Sequence, residues 1–255
     1  MVSEPMIRIL FFAVFGFLAL SMFFNRIFPR FGYTFPLRFI GVQIGLSVLT
    51  VFLHGTLVWG ARDALLFIGL STSIGLAAEW LGIKTGRVFG RYRYTAKSGP
   101  TCFGAVPVFV PLMWCVIAYM GFWTAAWFRP AGLKHPVAIL TASLLVTAWD
   151  SVADPLMVFE GAWLWEKPGQ YDGVPISNFI GWFITAVFIY SGFAWLGGET
   201  VSMPSINWIC ELPAAGYCLL TGVFSLAAFE RKLLLPGLLG SATVLVCLAA
   251  RCLRG

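Results

Sequence analysis

Eight apolar stretches, each close to the length that crosses a bilayer, divide this chain. A helical span needs about 20 such residues, and no other feature limits the possible folds so severely. The stretches run approximately over 6–28, 39–59, 64–81, 105–127, 136–154, 176–196, 209–229 and 235–250. Seven spans remain the alternative, because the last two are short and split by FERK. The residues between them cannot rescue a water-soluble reading. Of 255 residues 59% are hydrophobic and only 11% charged, against about 25% charged in an ordinary soluble domain. A globule of this length could not hide so much apolar surface while showing so few charges. Disorder is excluded on the same ground, and 27 Gly with 6 Cys fit neither a collagen-like chain nor a disulfide scaffold. The expected fold is an all-α polytopic membrane bundle forming a single domain over 1–255. The start, MVSEPMIR, lacks a compact basic region, so the first stretch reads as a retained span rather than a signal peptide. No internal repeat is visible, which leaves an inverted-repeat transporter without support.

The formal charge is +6. In a membrane protein such an excess sets orientation and contact with anionic lipid. No basic helix with interleaved aromatics or known motif points to nucleic acid. With eight spans, Arg26, Arg30, Arg38, Lys84, Arg87, Arg91, Arg93, Lys97, Lys167, Arg231 and Lys232 fall on one side. Arg8, Arg62, Arg129, Lys134, Arg251 and Arg254 fall on the other. That split predicts both termini outside, with the 84–97 and 160–172 loops in the cytoplasm of a bacterial or archaeal cell. The cysteines form no CxxC pair and read as small buried hydrophobes. His54 and His135 have no partner at ligand spacing, so no metal site is expected, and His54 reads as a hydrogen-bonded interior residue.

The acids are placed unevenly. Of the 11, Asp150, Asp154, Glu160, Glu166 and Asp172 crowd into one stretch. Asp150 and Asp154 share a face if the helix continues. Two carboxylates beside lipid are costly unless protonated, paired or opened to a polar cavity. Close like charges let one hold a proton while the other accepts one, as acid/base work requires. The alternative is that Pro155 ends the span, Asp154 caps a new helix and Asp150 meets an arginine at the headgroups. Trp149, Trp163, Trp165 and Trp182 form either an interfacial belt or the lining of a pocket whose aromatic faces stabilise a cation. Glu79, followed by Lys84, Arg87, Arg91 and Arg93, is either a salt-bridged turn on headgroups or reaches the cavity of Asp150 together with an arginine. The GRYRY run is no phosphate loop.

Two stretches are specific in combination: EWLGIKTGRVFGRYRYT, and WDSVADP followed by WLWEKPGQYDGVPISNFIGW. Over roughly 60–195 they resemble the carotenoid biosynthesis membrane family. That family includes the carotenoid 1,2-hydratases acting on open ψ-ends, of the γ-carotene and bisanhydrobacterioruberin hydratase type. The resemblance implies a catalytic core over that range and a cofactor-free hydro-lyase. It would add water to a terminal trisubstituted alkene of a lipid-soluble carotenoid, giving a tertiary alcohol. Such chemistry needs a strong acid in a dry site, a positioned water and stabilisation of the cation. On this reading Asp150 and Asp154 form the acid/base pair, with Glu79 or Glu166 as helper. Asn178 orients water, Tyr92 or Tyr171 relays a proton, Trp149 and Trp165 face the cation, and Arg91 lies at the substrate site. Two other readings remain. One is a membrane prenyltransferase holding magnesium diphosphate on Asp150-x-x-x-Asp154, though no second acid pair of that spacing lies on another span. The other is a carotenoid- or isoprenoid-binding or transport protein with acids in a proton relay.

Overall fold

The computed structural model describes residues 4–27, 37–128, 135–197 and 208–254. Eight helices account for most of it: α1 (Glu4–Ile27), α2 (Leu37–Trp59), α3 (Ala61–Thr85), α4 (Phe109–Ala125), α5 (Pro136–Phe159), α6 (Ile176–Leu196), α7 (Trp208–Glu230) and α8 (Leu234–Cys252). All eight are long and apolar enough to cross a membrane. Hydrocarbon offers no partner to backbone N–H and C=O groups, so apolar segments of this length close their hydrogen bonds internally as helices. The chain is an integral membrane protein. The predicted end of the first span at Phe28 lies outside the described residues, as do Arg30, Arg129 and Lys134 of the charge count.

Helix α4 is the axle. Its span is 83% buried, whereas that of α1 is 17% buried, and it packs against α2, α3, α5 and α7. Large side chains such as Leu219, Leu226 and Phe188 face outward, as lipid allows. Serine and threonine are tolerated inside spans because their hydroxyls bond back to their own helix, as Ser71 Oγ does to Phe67 O at 2.6 Å. Tyrosines tie helices together through main-chain carbonyls. Tyr190 of α6 donates to Ala118 O at 2.7 Å and Tyr217 of α7 to Leu145 O at 2.6 Å. A Cβ on Gly75 would stand 2.5 Å from Trp114 Cγ, so glycine there lets α3 and α4 close together.

Three boundaries differ from the sequence expectation by four residues or more. Helix α3 extends to Thr85. Helix α4 starts at Phe109 rather than near 105, because Val106–Pro107 pairs as a short strand. Helix α5 runs through Pro155 to Phe159 instead of stopping at Asp154. Pro155 has no N–H for the carbonyl of Ser151. The Tyr171 hydroxyl donates to that carbonyl at 2.7 Å. Relief comes from a residue 20 positions away in sequence, which a local reading cannot supply.

Between the helices at one end lies a small cap. Strand β1 (Tyr92–Tyr94) pairs antiparallel with β4 (Trp163–Trp165), setting Tyr92 opposite Trp165 and Tyr94 opposite Trp163. Strand β2 (Thr101–Cys102) pairs with β3 (Val106–Pro107). Lys97 Nζ donates to Glu160 O at 2.8 Å, and Arg231 of the α7–α8 turn meets Glu160 at 2.5 Å. At the opposite end Arg251 pairs with Glu211 at 2.7 Å. Lys97 and Arg231 thus meet at the capped end of the eight-helix bundle, and Arg251 lies at the other.

Candidate active site

Four helix ends meet beneath the cap: the C-terminal ends of α3 and α5 and the N-terminal ends of α4 and α6. They bring together Glu79, Trp114, Asp150, Asp154 and Asn178, all buried. Continuation of α5 through Pro155 is what places Asp150 and Asp154 on one face, one turn apart. Asn178, in the first turn of α6, reaches across and donates through Nδ2 to both carboxyls. The distances are 2.8 Å to Asp150 Oδ2 and 2.5 Å to Asp154 Oδ2. Asp150 Oδ1 is buried, and no donor among the described residues reaches it; the two carboxyls themselves lie within hydrogen-bonding contact. Among the described residues no lysine or arginine comes within ion-pair distance of Asp150, Asp154 or Glu79. The expected alternative, Asp150 paired with an arginine at headgroup level, is therefore not what forms.

Glu79 has the opposite environment. Its Oε2 accepts from the Tyr92 hydroxyl in a short hydrogen bond and from Tyr94 at 2.9 Å, and Oε1 accepts from Trp114 Nε1 at 3.1 Å. Strand alternation delivers the two tyrosines together, since residues two apart share a face, while Arg93 between them is exposed. Burial first, and the Glu79 carboxylate next, push both phenols well above the ordinary tyrosine range, so they remain donors.

The tryptophans are interior rather than a belt. Trp114 and Trp182 stack with centroids 3.9 Å apart, and Trp149 leans on Trp182 at 6.0 Å. Trp149, Trp165 and Trp182 are buried and Trp163 is partly so, whereas Trp80, Trp195 and Trp208 are exposed. Trp165 is anchored by Nε1 to Phe89 O at 2.9 Å, with its ring 5.6 Å from that of Tyr92.

Other sequence candidates lie apart from the pair. Glu166 is exposed, and its backbone N–H extends the β1–β4 pairing to Arg91 O at 2.9 Å. The Arg91 side chain is exposed and lines a surface groove with Glu166, Lys167 and Ser177. The Tyr171 hydroxyl is committed to Ser151. Tyr94 and Trp114 were absent from the sequence candidates. The Y-x-Y alternation was the available signal for Tyr94, and nothing local marked Trp114. His54 is an interior residue, with Tyr119 Oη 2.5 Å from Nδ1 and Ile209 O 2.9 Å from Nε2. Of the cysteines, Cys115, Cys210, Cys218 and Cys247 are buried, Cys102 is partly buried and Cys252 is exposed.

Comparison with known proteins agrees with the sequence resemblance. A bisanhydrobacterioruberin hydratase of Haloarcula japonica is 31% identical over 127 residues, which is 49% of this chain and 42% of that protein. The chain thus matches less than half of that relative's length. No solved structure matches. The profile of the carotenoid biosynthesis proteins matches residues 39–247, reaching well beyond the recognised 60–195 stretch. A match over so much of the membrane bundle means that this chain belongs to the carotenoid biosynthesis protein family.

Proposed function

We propose that the protein is a carotenoid hydratase adding water across the terminal 1,2 double bond of a ψ-end carotenoid to give a tertiary alcohol. The observation that carries this reading is a buried carboxyl pair, one helical turn apart, clasped by the Asn178 amide with no cation in reach among the described residues. Two facing carboxyls in so dry a place are tolerable when they share a proton. Such a pair can give a proton to an alkene and take one from water. The neighbouring indoles offer aromatic faces to the tertiary cation between those steps. The chemistry consists of proton transfers and water addition alone. The hydratase relative supports the same reaction class.

Glu79 completes the wall of the site by holding Tyr92, Tyr94 and Trp114 in place. A groove of about 300 Å³ runs along the start of α6, lined by Arg87, Val88, Ser177, Ile180, Gly181 and Ile184. Ile180 and Ile184 face outward, which suits a substrate arriving sideways from the bilayer. Phe89 packs behind this groove, against Gly181 on one side and 6.4 Å from the Trp114 ring on the other. The whole bundle acts as one domain with its catalytic core over roughly 60–195. The cap end carries most of the basic residues and faces the cytoplasm, leaving both termini outside.

The test is carotenoid mass analysis of a carotenoid-making host with and without the gene. The expected product gains one water per hydrated end. A magnesium-dependent consumption of prenyl diphosphate would favour a prenyltransferase instead. Purified protein carrying carotenoid but forming no alcohol would favour a binding role.

A further inference from the structure

The aspartate pair is asymmetric, and the asymmetry separates the two halves of the proposed reaction. Asn178 carries two hydrogens on Nδ2 and uses them on one oxygen of each carboxyl, Asp150 Oδ2 and Asp154 Oδ2. In a carboxylic acid the carbonyl oxygen is the better acceptor, so the oxygens that accept are the proton-free ones. A transferable proton therefore sits on an Oδ1. Asp150 Oδ1 is the buried one that no donor among the described residues reaches. A bare carboxylate oxygen in that position would carry the full cost of desolvation, whereas an acid hydroxyl carries far less. The surroundings differ in the same sense. Asp150 is 0% exposed and Asp154 is 4% exposed, and the Trp163 indole of β4 lies beside Asp154. The Asp150 position, whose Oδ1 no donor serves, suits an acid, and the Asp154 position beside the indole N–H suits a base.

We infer that Asp150 is the general acid, that Asp154 is the general base, and that Asn178 is a positioning residue fixing which oxygen holds the proton. The assignment rests on the hydratase reading above. The proton of Asp150 moves to the less substituted alkene carbon, and the π pair becomes the new C–H bond. The neighbouring carbon becomes a tertiary cation. A lone pair of water forms the C–O bond there, and the proton released from that water goes to Asp154. Asp150 is now a carboxylate and Asp154 an acid, and one proton passing back between them restores the start. The alkene has gained one water, with no oxidant or reductant used.

Removing the acid stops the first step, and removing the base stops only the second. Purified full-length protein in detergent is therefore given unlabelled lycopene in deuterated buffer. The readouts are alcohol formed and deuterium in the recovered alkene. Wild type forms deuterated alcohol. Asp154→Asn loses alcohol by about 100-fold or more yet still deuterates the alkene, because the cation returns a proton. Asp150→Asn loses both. Asp150→Glu and Asp154→Glu are run in parallel in case an amide variant fails to fold, and the exchange deficit follows residue 150 in both sets. In Asn178→Leu the pH profile of exchange shifts, which a purely structural residue would not cause; an unchanged profile overturns its role. Deuterium exchange lost in Asp154→Asn but kept in Asp150→Asn, or lost equally in both, overturns the acid/base assignment while hydration by wild type stands. A wild-type protein that neither hydrates nor exchanges removes the hydratase reading and this assignment together.

Discussion

Two groups of acids share the capped end of this bundle, and they are built in opposite ways. Glu79 accepts from Tyr92, Tyr94 and Trp114, so both of its oxygens are served. Asp150 and Asp154 share one amide, and no donor among the described residues reaches Asp150 Oδ1. Burial alone does not distinguish them, because all three are almost fully enclosed. What differs is the supply of donors. A buried carboxylate given enough hydrogen bonds becomes part of the scaffold, while one left short holds or passes a proton. An unsatisfied buried polar atom in a native fold calls for an explanation, and at Asp150 catalysis is the one proposed.

The sharpest way to break this contrast is to remove each acid's charge in turn. Asp150→Asn should lower alcohol formation by roughly 10²–10⁴-fold, the usual worth of a general acid. Glu79→Gln, checked for folding by thermal melting in detergent, should lower it only a few-fold. Equal losses in two well-folded variants would end the distinction. Stability should rank the other way. Glu79→Leu strands two buried donors and one part-buried one, the buried ones costing about 1–3 kcal/mol each, so it should unfold at markedly lower denaturant than Asp150→Asn.

A smaller effect is expected at Gly75, four residues before Glu79 on the same face of α3. There an added Cβ meets Trp114 Cγ at 2.5 Å. Gly75→Ala should cost about 1–3 kcal/mol through overpacking and displace the indole that serves Glu79; an unchanged melting temperature would show that α3 and α4 separate freely. The smallest effect concerns the helix that carries the aspartates. Tyr171→Phe leaves the Ser151 carbonyl short of a partner and should cost about 1 kcal/mol. In a Pro155→Ala background the helix can supply its own N–H, so the cost should shrink. Additive losses in that double-mutant cycle would disprove the link between Tyr171 and Pro155.

Much of the fold was legible because one physical demand dominates it. Backbone in hydrocarbon must be helical, so apolar run length reads directly as span count. The clustering of acids near 150 and the shared face of Asp150 and Asp154 were likewise visible, because helical periodicity is local. The belt-or-pocket ambiguity of Trp149, Trp165 and Trp182 was not resolvable from sequence, since both arrangements use the same residues at the same depth. Nor was the cap foreseen. Strands β1 and β4 are three residues each, too short to leave a periodic signal, and their pairing joins segments about 70 residues apart.

By itself the sequence determined that this protein lives in a membrane, narrowed its crossings to seven or eight, and showed which few acids deserved suspicion. Those properties follow from solvent preference and from the helical period. Only the tertiary structure decided which acid is caged and which is left bare. Tyr94, Trp114 and Asn178 come from three different elements, and Tyr171 carries α5 across Pro155 from a fourth. Donors to a buried carboxyl are set by which helix ends and strands meet, and no single stretch of chain contains that information.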